Sequence, residues 1–214
     1  MLALSRHLDI YMNEQQRGHW SGDTDDVPPM TDLEGRTLLV VGLGGIGTEV
    51  AQRAHAFGMR VIATRASGRM GPDYVGYVGL PDELLSLARQ ADFVVNCAPL
   101  TPQTTGVFNK GFFANMKPTA YFLSVGRGRS TVSADLIAAL AAHRIAGAGL
   151  DVTDPEPLPA DSPLWHMPNV VITPHVAANS PIVGDIKWAL LRESLRRYVG
   201  GEPMLSVVDA ERGY

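Results

Sequence analysis

A chain of 214 residues is long enough to bury a sizeable core, in one domain or in two small ones. Its hydrophobic content of 45% includes no uninterrupted apolar run that could cross a bilayer, and no leader pattern opens the chain, so we expect a cytoplasmic protein without a membrane partner. A net charge of −4 without a basic block argues against nucleic acid as a partner.

The first thirty residues predict a helix followed by a loop. Residues 2–20 repeat apolar side chains at helical spacing, and residues 21–30 are polar and contain prolines. Residues 37–65 then predict a strand, a glycine turn, a helix and a second strand. The apolar run at 37–41 is too short for a typical helix, Gly58 ends the predicted helix, and residues 60–64 form the second strand.

Three glycines, Gly42, Gly44 and Gly47, lie between the first strand and the helix. In such a unit one glycine permits a tight turn, one lets backbone N–H groups approach a pyrophosphate, and one lets the helix pack closely on its strand. The phosphates then lie at the positive end of the helix dipole. The pattern predicts a dinucleotide site; the alternative is a structural turn without a ligand.

The remainder of the chain alternates between strand and helix patterns. Residues 66–79 lack periodicity and are predicted as a loop, and Ser133 is the predicted cap of a later helix. The predicted helices cover 81–90, 110–116, 133–144 and 182–199, and the predicted strands cover 92–98, 120–125, 145–152 and 170–173. This alternation predicts an α/β fold in which helices cover both faces of a parallel sheet.

Ligands of an open parallel sheet bind beyond the carboxyl ends of its strands, so polar residues that follow each apolar run are candidates for a shared site. They are Thr64 and Arg65, residues 96–99, Gly126 and Arg127, Asp151, and Pro174 and His175. The only cysteine, Cys97, excludes an internal disulfide and a thiol cluster for a metal. We expect Cys97 to be a small buried apolar residue; the alternative is a reactive thiol.

Arg127, Asp151 and His175 of this set, together with Glu156, have side chains suited to binding a ligand or transferring a proton. Arg127 lies between two glycines, and its planar guanidinium could grip a carboxylate with two parallel bonds; the alternative is a solvated surface arginine. Asp151 could accept a bond from a carboxamide, or cap a turn. Glu156 and His175 can meet only through the fold, and a carboxylate beside the imidazole would favour the charged ring and proton transfer near neutral pH; the alternative is a structural histidine.

Six motifs in chain order resemble the D-isomer-specific 2-hydroxyacid dehydrogenase family. They are VGLGGIG (41–47), PLT (99–101), SVGRG (124–128), GLDVTDPEPLP (149–159), SPLW (162–165) and TPHVA (173–177). The resemblance implies a Rossmann-like doubly wound sheet and an NAD(P)-dependent oxidoreductase that acts on D-2-hydroxy acids or reduces 2-oxo acids such as glyoxylate or hydroxypyruvate. No metal is implied.

The resemblance also implies roles for individual residues. Arg127 would hold the substrate carboxylate, His175 would be the general acid or base, and Glu156 would be its carboxylate partner. The implied cofactor contacts are the turn residues Gly42, Gly44, Gly45, Ile46 and Gly47, then Cys97, Ala98, Pro99, Val125, Gly126 and Arg127, with Asp151 on the nicotinamide carboxamide and His175 beside the ring.

One departure from the family concerns the end of the second predicted strand. Family members that use NAD carry an acidic residue there, which accepts from the ribose hydroxyls. In this chain Arg65 follows Thr64, with Ser67 and Arg69 close by. Because a guanidinium can pair with a 2′-phosphate, we predict that NADP is preferred over NAD; the alternative is an Arg65 that only faces water.

A second departure concerns length. The family carries a substrate domain of roughly a hundred residues, a usual size for a domain, before the helix that residues 2–20 resemble. We therefore expect residues 1–30 to be a linking helix and loop, residues 31–180 the NAD(P)-binding domain, and residues 181–214 a helix and tail that pack on the absent domain. The linking helix and the final helix would then be remnants with exposed apolar faces, and relatives of this family form homodimers.

Two functions follow. The first is the dehydrogenase or reductase, favoured because a simple binder needs the glycines but not Arg127, Glu156 and His175. The second is a truncated, catalytically weak dinucleotide-binding module that acts as a sensor or interaction protein, favoured by the absent domain.

Overall fold

Seven parallel strands form one sheet in the order β3-β2-β1-β4-β5-β6-β7, which confirms the α/β, Rossmann-like doubly wound fold. The strands are β1 (Thr37–Val41), β2 (Arg60–Thr64), β3 (Tyr77–Gly79), β4 (Phe93–Asn96), β5 (Tyr121–Ser124), β6 (Gly147–Leu150) and β7 (Val170–Ile172). The computed structural model describes residues 1–20 and 27–209, in two compact units, Met1–Pro174 and His175–Tyr214.

The strand register brings the carboxyl ends of the central strands to one level. Val41 lies opposite Thr64 on one side and Asn96 on the other, Asn96 lies opposite Ser124, and Ser124 lies opposite Leu150. Residues that directly follow these strands therefore share one edge of the sheet. The sequence prediction of a common edge is correct for the part of the rim that belongs to Met1–Pro174.

The helices of the described residues are α1 (Leu2–Ser5), α2 (Leu8–Gln16), α3 (Gly45–Ala56), α4 (Leu84–Ala88), α5 (Lys110–Asn115), α6 (Ser133–Ala141) and α7 (Val183–Val199). Four of these seven helices, α3 to α6, connect successive strands and cover both faces of the sheet, whereas α1 and α2 precede β1 and α7 belongs to the second unit. Successive residues of β1 alternate between two apolar clusters, with Leu38 and Val40 in one and Leu39 and Val41 in the other. Each face of the sheet thus has its own packed layer. No helix of the described ranges combines the length and the apolar character that crossing a bilayer requires.

Three local predictions need correction. The helix predicted over residues 2–20 is two helices, because His7 adopts a left-handed backbone (φ 51°) between α1 and α2. The loop predicted over residues 66–79 contains β3, which is too short to show a period. Ser133 is not the cap of α6: its hydroxyl instead donates to the carbonyl oxygen of Asp154, at 2.7 Å.

The remaining local predictions lie close to the observed elements. The strand predicted at residues 37–41 and that at 60–64 match β1 and β2, and the final helix is α7. Residues 21–26 of the predicted 21–30 loop lie outside the described residues. The predicted domain boundaries after residues 30 and 180 remain predictions.

Candidate active site

The turn after β1 requires glycine at Gly42. Its φ is +94°, and its N–H donates to the carbonyl oxygen of Thr64 at 3.1 Å. A Cβ atom at Gly42 would lie 2.7 Å from the Cα atom of Ala98 in the neighbouring loop. The left-handed backbone and the close approach both exclude a side chain, so the chain turns sharply from β1 into α3.

The other glycines of this turn differ in the space around them. A Cβ atom at Gly47 would lie 2.1 Å from the carbonyl oxygen of Gly42, so α3 packs directly on the turn. At Gly44 and Gly45, by contrast, a Cβ atom would meet nothing within 4 Å. The space above these two residues is open to a ligand.

The amino end of α3 faces this open space. The first N–H groups of a helix have no partner within the helix, no side chain of the described ranges caps this end, and its first turn carries no acidic residue. Ile46, in the same turn, is 59% exposed. Backbone N–H groups with a positive helix dipole behind them suit a pyrophosphate, so these residues fit the dinucleotide that the sequence predicts.

Two arginines follow the end of β2, and their surroundings differ. The guanidinium of Arg65 donates to the hydroxyl of Ser67 at 2.8 Å and to the carbonyl oxygen of Met70 at 2.9 Å, and both partners are neutral. Arg69 instead forms an ion pair with Glu83 at 2.8 Å. The charge of Arg69 is therefore compensated, whereas the partners of Arg65 leave its charge available to an anion.

Arg69 also belongs to a small network with Tyr77. Its guanidinium donates to the Tyr77 hydroxyl at 2.9 Å. The hydrogen bonds to Tyr77 and to the Leu80 N–H, together with the charge of Arg69, lower the pKa of Glu83 from its ordinary value. Arg69, which is bonded to both Tyr77 and Glu83, therefore has little freedom to turn towards a ligand.

A buried amide lies at the end of β4. Asn96 is fully buried, its carbonyl oxygen Oδ1 accepts from the N–H of Ala98 at 3.1 Å, and its backbone oxygen accepts from the N–H of Val125 at 3.1 Å. Cys97, which follows it, is half-buried, and burial raises the pKa of the Cys97 thiol to about 12. The thiol therefore stays protonated at neutral pH, which does not favour a reactive cysteine.

Arg127 stands on the loop after β5. The residue is exposed, and one arm of its guanidinium donates to the carbonyl oxygen of Gly126 at 2.8 Å. Gly126 is buried, and a Cβ atom there would lie 2.8 Å from the carbonyl oxygen of Ala98. This packing holds the Arg127 loop directly against the loop that follows β4, and within the described part of the chain most donors of the guanidinium fork remain for a ligand.

The loop that carries Glu156 lies against the Arg127 loop. A Cβ atom at Gly128 would lie 1.7 Å from the carbonyl oxygen of Thr153, so the two backbones are in contact. The Ser133 hydroxyl holds the carbonyl oxygen of Asp154, two residues before Glu156. The structure therefore brings together the segments of two of the three predicted catalytic residues.

Asp151 and His175 complete the predicted set. Asp151 is buried at the end of β6, and its carboxylate accepts from the hydroxyl of Thr173 at 2.6 Å. His175 opens the second compact unit with a left-handed backbone, φ 53°. The roles given to His175, Glu156, Arg127 and the cofactor contacts remain predictions.

The sequence analysis did not predict the residues that fix the Arg127 and Glu156 loops. Ser130 donates from its hydroxyl to the carbonyl oxygen of Arg127, Ser133 holds Asp154, and Gly128 permits the contact with Thr153. The glycine beside Arg127 was a usable signal for a close backbone approach. The two serines gave none, because a serine before a helix resembles a cap.

Comparison with known proteins identifies the family to which the chain belongs. Residues 1–177 match the family model described as D-isomer specific 2-hydroxyacid dehydrogenase, NAD binding domain. The chain therefore belongs to the D-isomer specific 2-hydroxyacid dehydrogenase family, and the matched residues are its NAD-binding domain.

Individual relatives are similar in sequence and in fold. A human glyoxylate reductase/hydroxypyruvate reductase is 36% identical over 212 residues, which cover 96% of this chain and 63% of that protein. A probable 2-hydroxyacid dehydrogenase from Rhizobium etli, solved with NADP, HEPES and L(+)-tartaric acid, superposes with a TM-score of 0.87 at 30% identity. The superposition covers all of this chain and 66% of the Rhizobium chain.

A third relative is an NADPH-dependent glyoxylate/hydroxypyruvate reductase from Sinorhizobium meliloti, solved with NADP and sulfate. It superposes with a TM-score of 0.85 at 32% identity, and the superposition covers all of this chain and 66% of the Sinorhizobium chain. The chain spans between 59% and 63% of the length of the curated relatives that it matches.

Proposed function

We propose that this protein is an NAD(P)-dependent oxidoreductase that interconverts D-2-hydroxy acids and 2-oxo acids, with small 2-oxo acids such as glyoxylate and hydroxypyruvate as reductive substrates. The observation that carries the proposal is the contact between the Arg127 loop and the Glu156 loop at the edge that also bears the glycine turn. The glyoxylate and hydroxypyruvate reductase activities of the human and Sinorhizobium relatives support the substrate class.

The chain's own residues orient the substrate and move one proton. Arg127 grips the carboxylate of the 2-oxo acid with two parallel N–H donors, which fixes the position of the neighbouring carbonyl. His175 donates a proton to the carbonyl oxygen in reduction and takes it back in oxidation. Glu156 stabilises the charged imidazole and keeps it oriented.

The cofactor would lie along the carboxyl edge. Backbone N–H groups of Gly45 and Ile46 would hold its pyrophosphate, the segment from Cys97 to Pro99 would line its site, and Asp151 would accept from the carboxamide. When bound, the nicotinamide supplies the hydride that reaches the carbonyl carbon. His175 would supply the proton that the carbonyl oxygen takes as the 2-oxo acid becomes the 2-hydroxy acid.

A preference for NADP over NAD is part of the proposal. Arg65 has neutral partners and lies at the end of β2, where the ribose of a dinucleotide is held in folds of this kind. Its guanidinium pairs with a 2′-phosphate, and the Ser67 hydroxyl adds a donor. Relatives solved with NADP or NADPH support the preference.

A homodimer is also proposed. Leu2, Leu8 and Met12 of the first two helices are each about half exposed, at 51%, 50% and 52%. Large apolar side chains in contact with water favour association with a second copy. Sedimentation of the purified chain as a monomer at micromolar concentration would contradict this.

The test of the function uses the full chain with NADPH and a panel of 2-oxo acids. We expect the absorbance of NADPH to fall with glyoxylate or hydroxypyruvate and not with pyruvamide, which lacks the carboxylate that Arg127 would bind. His175→Gln should lower kcat by roughly 10²–10⁴-fold while NADPH still binds. NADPH fluorescence that reports binding without oxidation of any 2-oxo acid would contradict the enzyme and favour a dinucleotide-binding module.

A further inference from the structure

A buried polar network lies beneath the Arg127 loop. It is defined here as the side chains of Asn96, Ser124 and Ser130, which are 0%, 1% and 0% exposed. The Asn96 amide Nδ2 donates to Ser124 Oγ at 3.1 Å and to Ser130 Oγ at 2.8 Å. One asparagine thus uses both of its amide hydrogens inside the core.

The network connects two loops at the carboxyl edge. On one side Ser130 Oγ, having accepted from Asn96, donates its only hydrogen to the carbonyl oxygen of Arg127 at 2.6 Å. On the other side Asn96 Oδ1 accepts from the N–H of Ala98. Asn96 is therefore bonded both to the loop of the proposed substrate arginine and to the segment proposed to line the cofactor.

Stability alone gives no reason for such a network. Burying polar groups costs free energy, and their mutual hydrogen bonds largely offset that cost, so the bonds among these three side chains add little net stability. What apolar side chains cannot do is fix the direction of two backbone segments. A satisfied buried network specifies one arrangement of the groups that it joins.

We propose that Asn96 is a positioning residue that acts through Ser130 to hold the Arg127 loop in the arrangement that binds the substrate carboxylate. The proposal rests on the proposed function, because it assumes that Arg127 binds that group. Ser124 shares the burial and the bond to Asn96 but has no bond to Arg127, so it provides a matched comparison.

The test compares Ser130→Ala with Ser124→Ala in the full chain. The N–H of Ser130 also donates to the Arg127 carbonyl oxygen, so Ser130→Ala keeps that turn. The variant removes both bonds of the hydroxyl, the one that it donates to the Arg127 carbonyl oxygen and the one that it accepts from Asn96. We expect Ser130→Ala to raise KM for the 2-oxo acid, and the Kd of the inert dianion oxalate, by about tenfold, because the loop loses its connection to the buried network. The Kd of NADPH should stay within about twofold, and Ser124→Ala should change each constant by less than about threefold.

Amide hydrogen exchange supplies a readout that does not depend on turnover. Backbone amides of residues 126–130 should exchange faster in Ser130→Ala than in Ser124→Ala. If Ser130→Ala proves insoluble, Ser130→Cys keeps the volume, weakens the hydrogen bonds and allows the same comparison.

Equal effects of the two serine variants on oxalate binding and on exchange would overturn the positioning role and leave the proposed function intact. A wild-type chain that binds NADPH but neither oxalate nor any 2-oxo acid would overturn both. Weaker oxalate binding by Ser130→Ala alone, with faster exchange of its loop, supports the role.

Discussion

The backbone of Gly128 lies against the carbonyl oxygen of Thr153, so closely that a Cβ atom on Gly128 would stand 1.7 Å from that oxygen. This contact joins the segment after Arg127 to the segment before Glu156. No side chain fits there, because real atoms never approach so closely. The two loops keep their spacing only while residue 128 is glycine.

Gly128→Ala should therefore separate the two loops and destabilise the fold. We expect the free energy of unfolding to fall by about 2 kcal/mol, within the range of overpacked sites, and any 2-oxo acid reduction to fall with it. Denaturant unfolding measures the change. Gly76→Ala is the control, since a Cβ atom there makes only an ordinary contact, 3.6 Å from the carbonyl oxygen of Val61. Equal stability of the two variants would contradict the prediction.

The glycines of the turn after β1 should separate stability from cofactor binding. Gly47→Ala places a Cβ atom 2.1 Å from the Gly42 carbonyl oxygen, so thermal unfolding should show a marked loss of stability. Gly44→Ala enters open space and should cost at most about 1 kcal/mol, as at other helix caps, yet weaken NADPH binding because its methyl group occupies the approach to the pyrophosphate. Tight NADPH binding by Gly44→Ala would count against a pyrophosphate at this turn.

Replacement of Arg65 should reverse the coenzyme preference. Loss of a charge-assisted pair with a 2′-phosphate should raise the Kd of NADPH for Arg65→Ala by roughly 10- to 100-fold and leave that of NADH nearly unchanged. Fluorescence titration with both coenzymes measures this. Arg69→Ala is the matched control: its guanidinium is paired with Glu83, so we expect a smaller change. A similar loss in both variants would argue for a diffuse positive field instead of a specific contact.

The thiol of Cys97 should react slowly in the folded protein. Burial raises its pKa from an ordinary 9.0 to about 12, so at pH 8 the thiolate is about a thousandfold scarcer than in an unfolded chain. Labelling with a thiol reagent should be slow at pH 8 and become fast in denaturant. The folded state also holds this proton more tightly than the unfolded state, so the stability it contributes is present below pH 9 and is lost as the pH rises towards 12. Rapid labelling of the folded chain at pH 8 would show that burial does not protect the thiol.

Local features of this protein were accessible from its sequence because their causes are local. The run from Thr37 to Val41 is apolar and too short for a helix, and β1 has those bounds. Gly42, Gly44 and Gly47 carry the backbone freedom and the missing side chains that their turn needs, and the structure assigns each the space expected of it. Alternation of such segments is enough to predict a parallel sheet and the edge where its ligands bind.

Only the tertiary structure decided which groups hold the loops at that edge. Asn96 and Ser130 are 34 residues apart, and Ser133 and Asp154 are 21 apart, so nothing in their immediate neighbours indicates that they bond. Serine beside a helix predicts a cap, and that interpretation of Ser133 was wrong: Ser133 is already the first residue of α6, Val132 occupies the cap position, and the Ser133 hydroxyl donates to the carbonyl oxygen of Asp154. The local sequence determines where a strand ends and where a glycine permits a turn. Hydrogen bonds between distant segments depend instead on which strands pair side by side, and that pairing exists only once the sheet has formed.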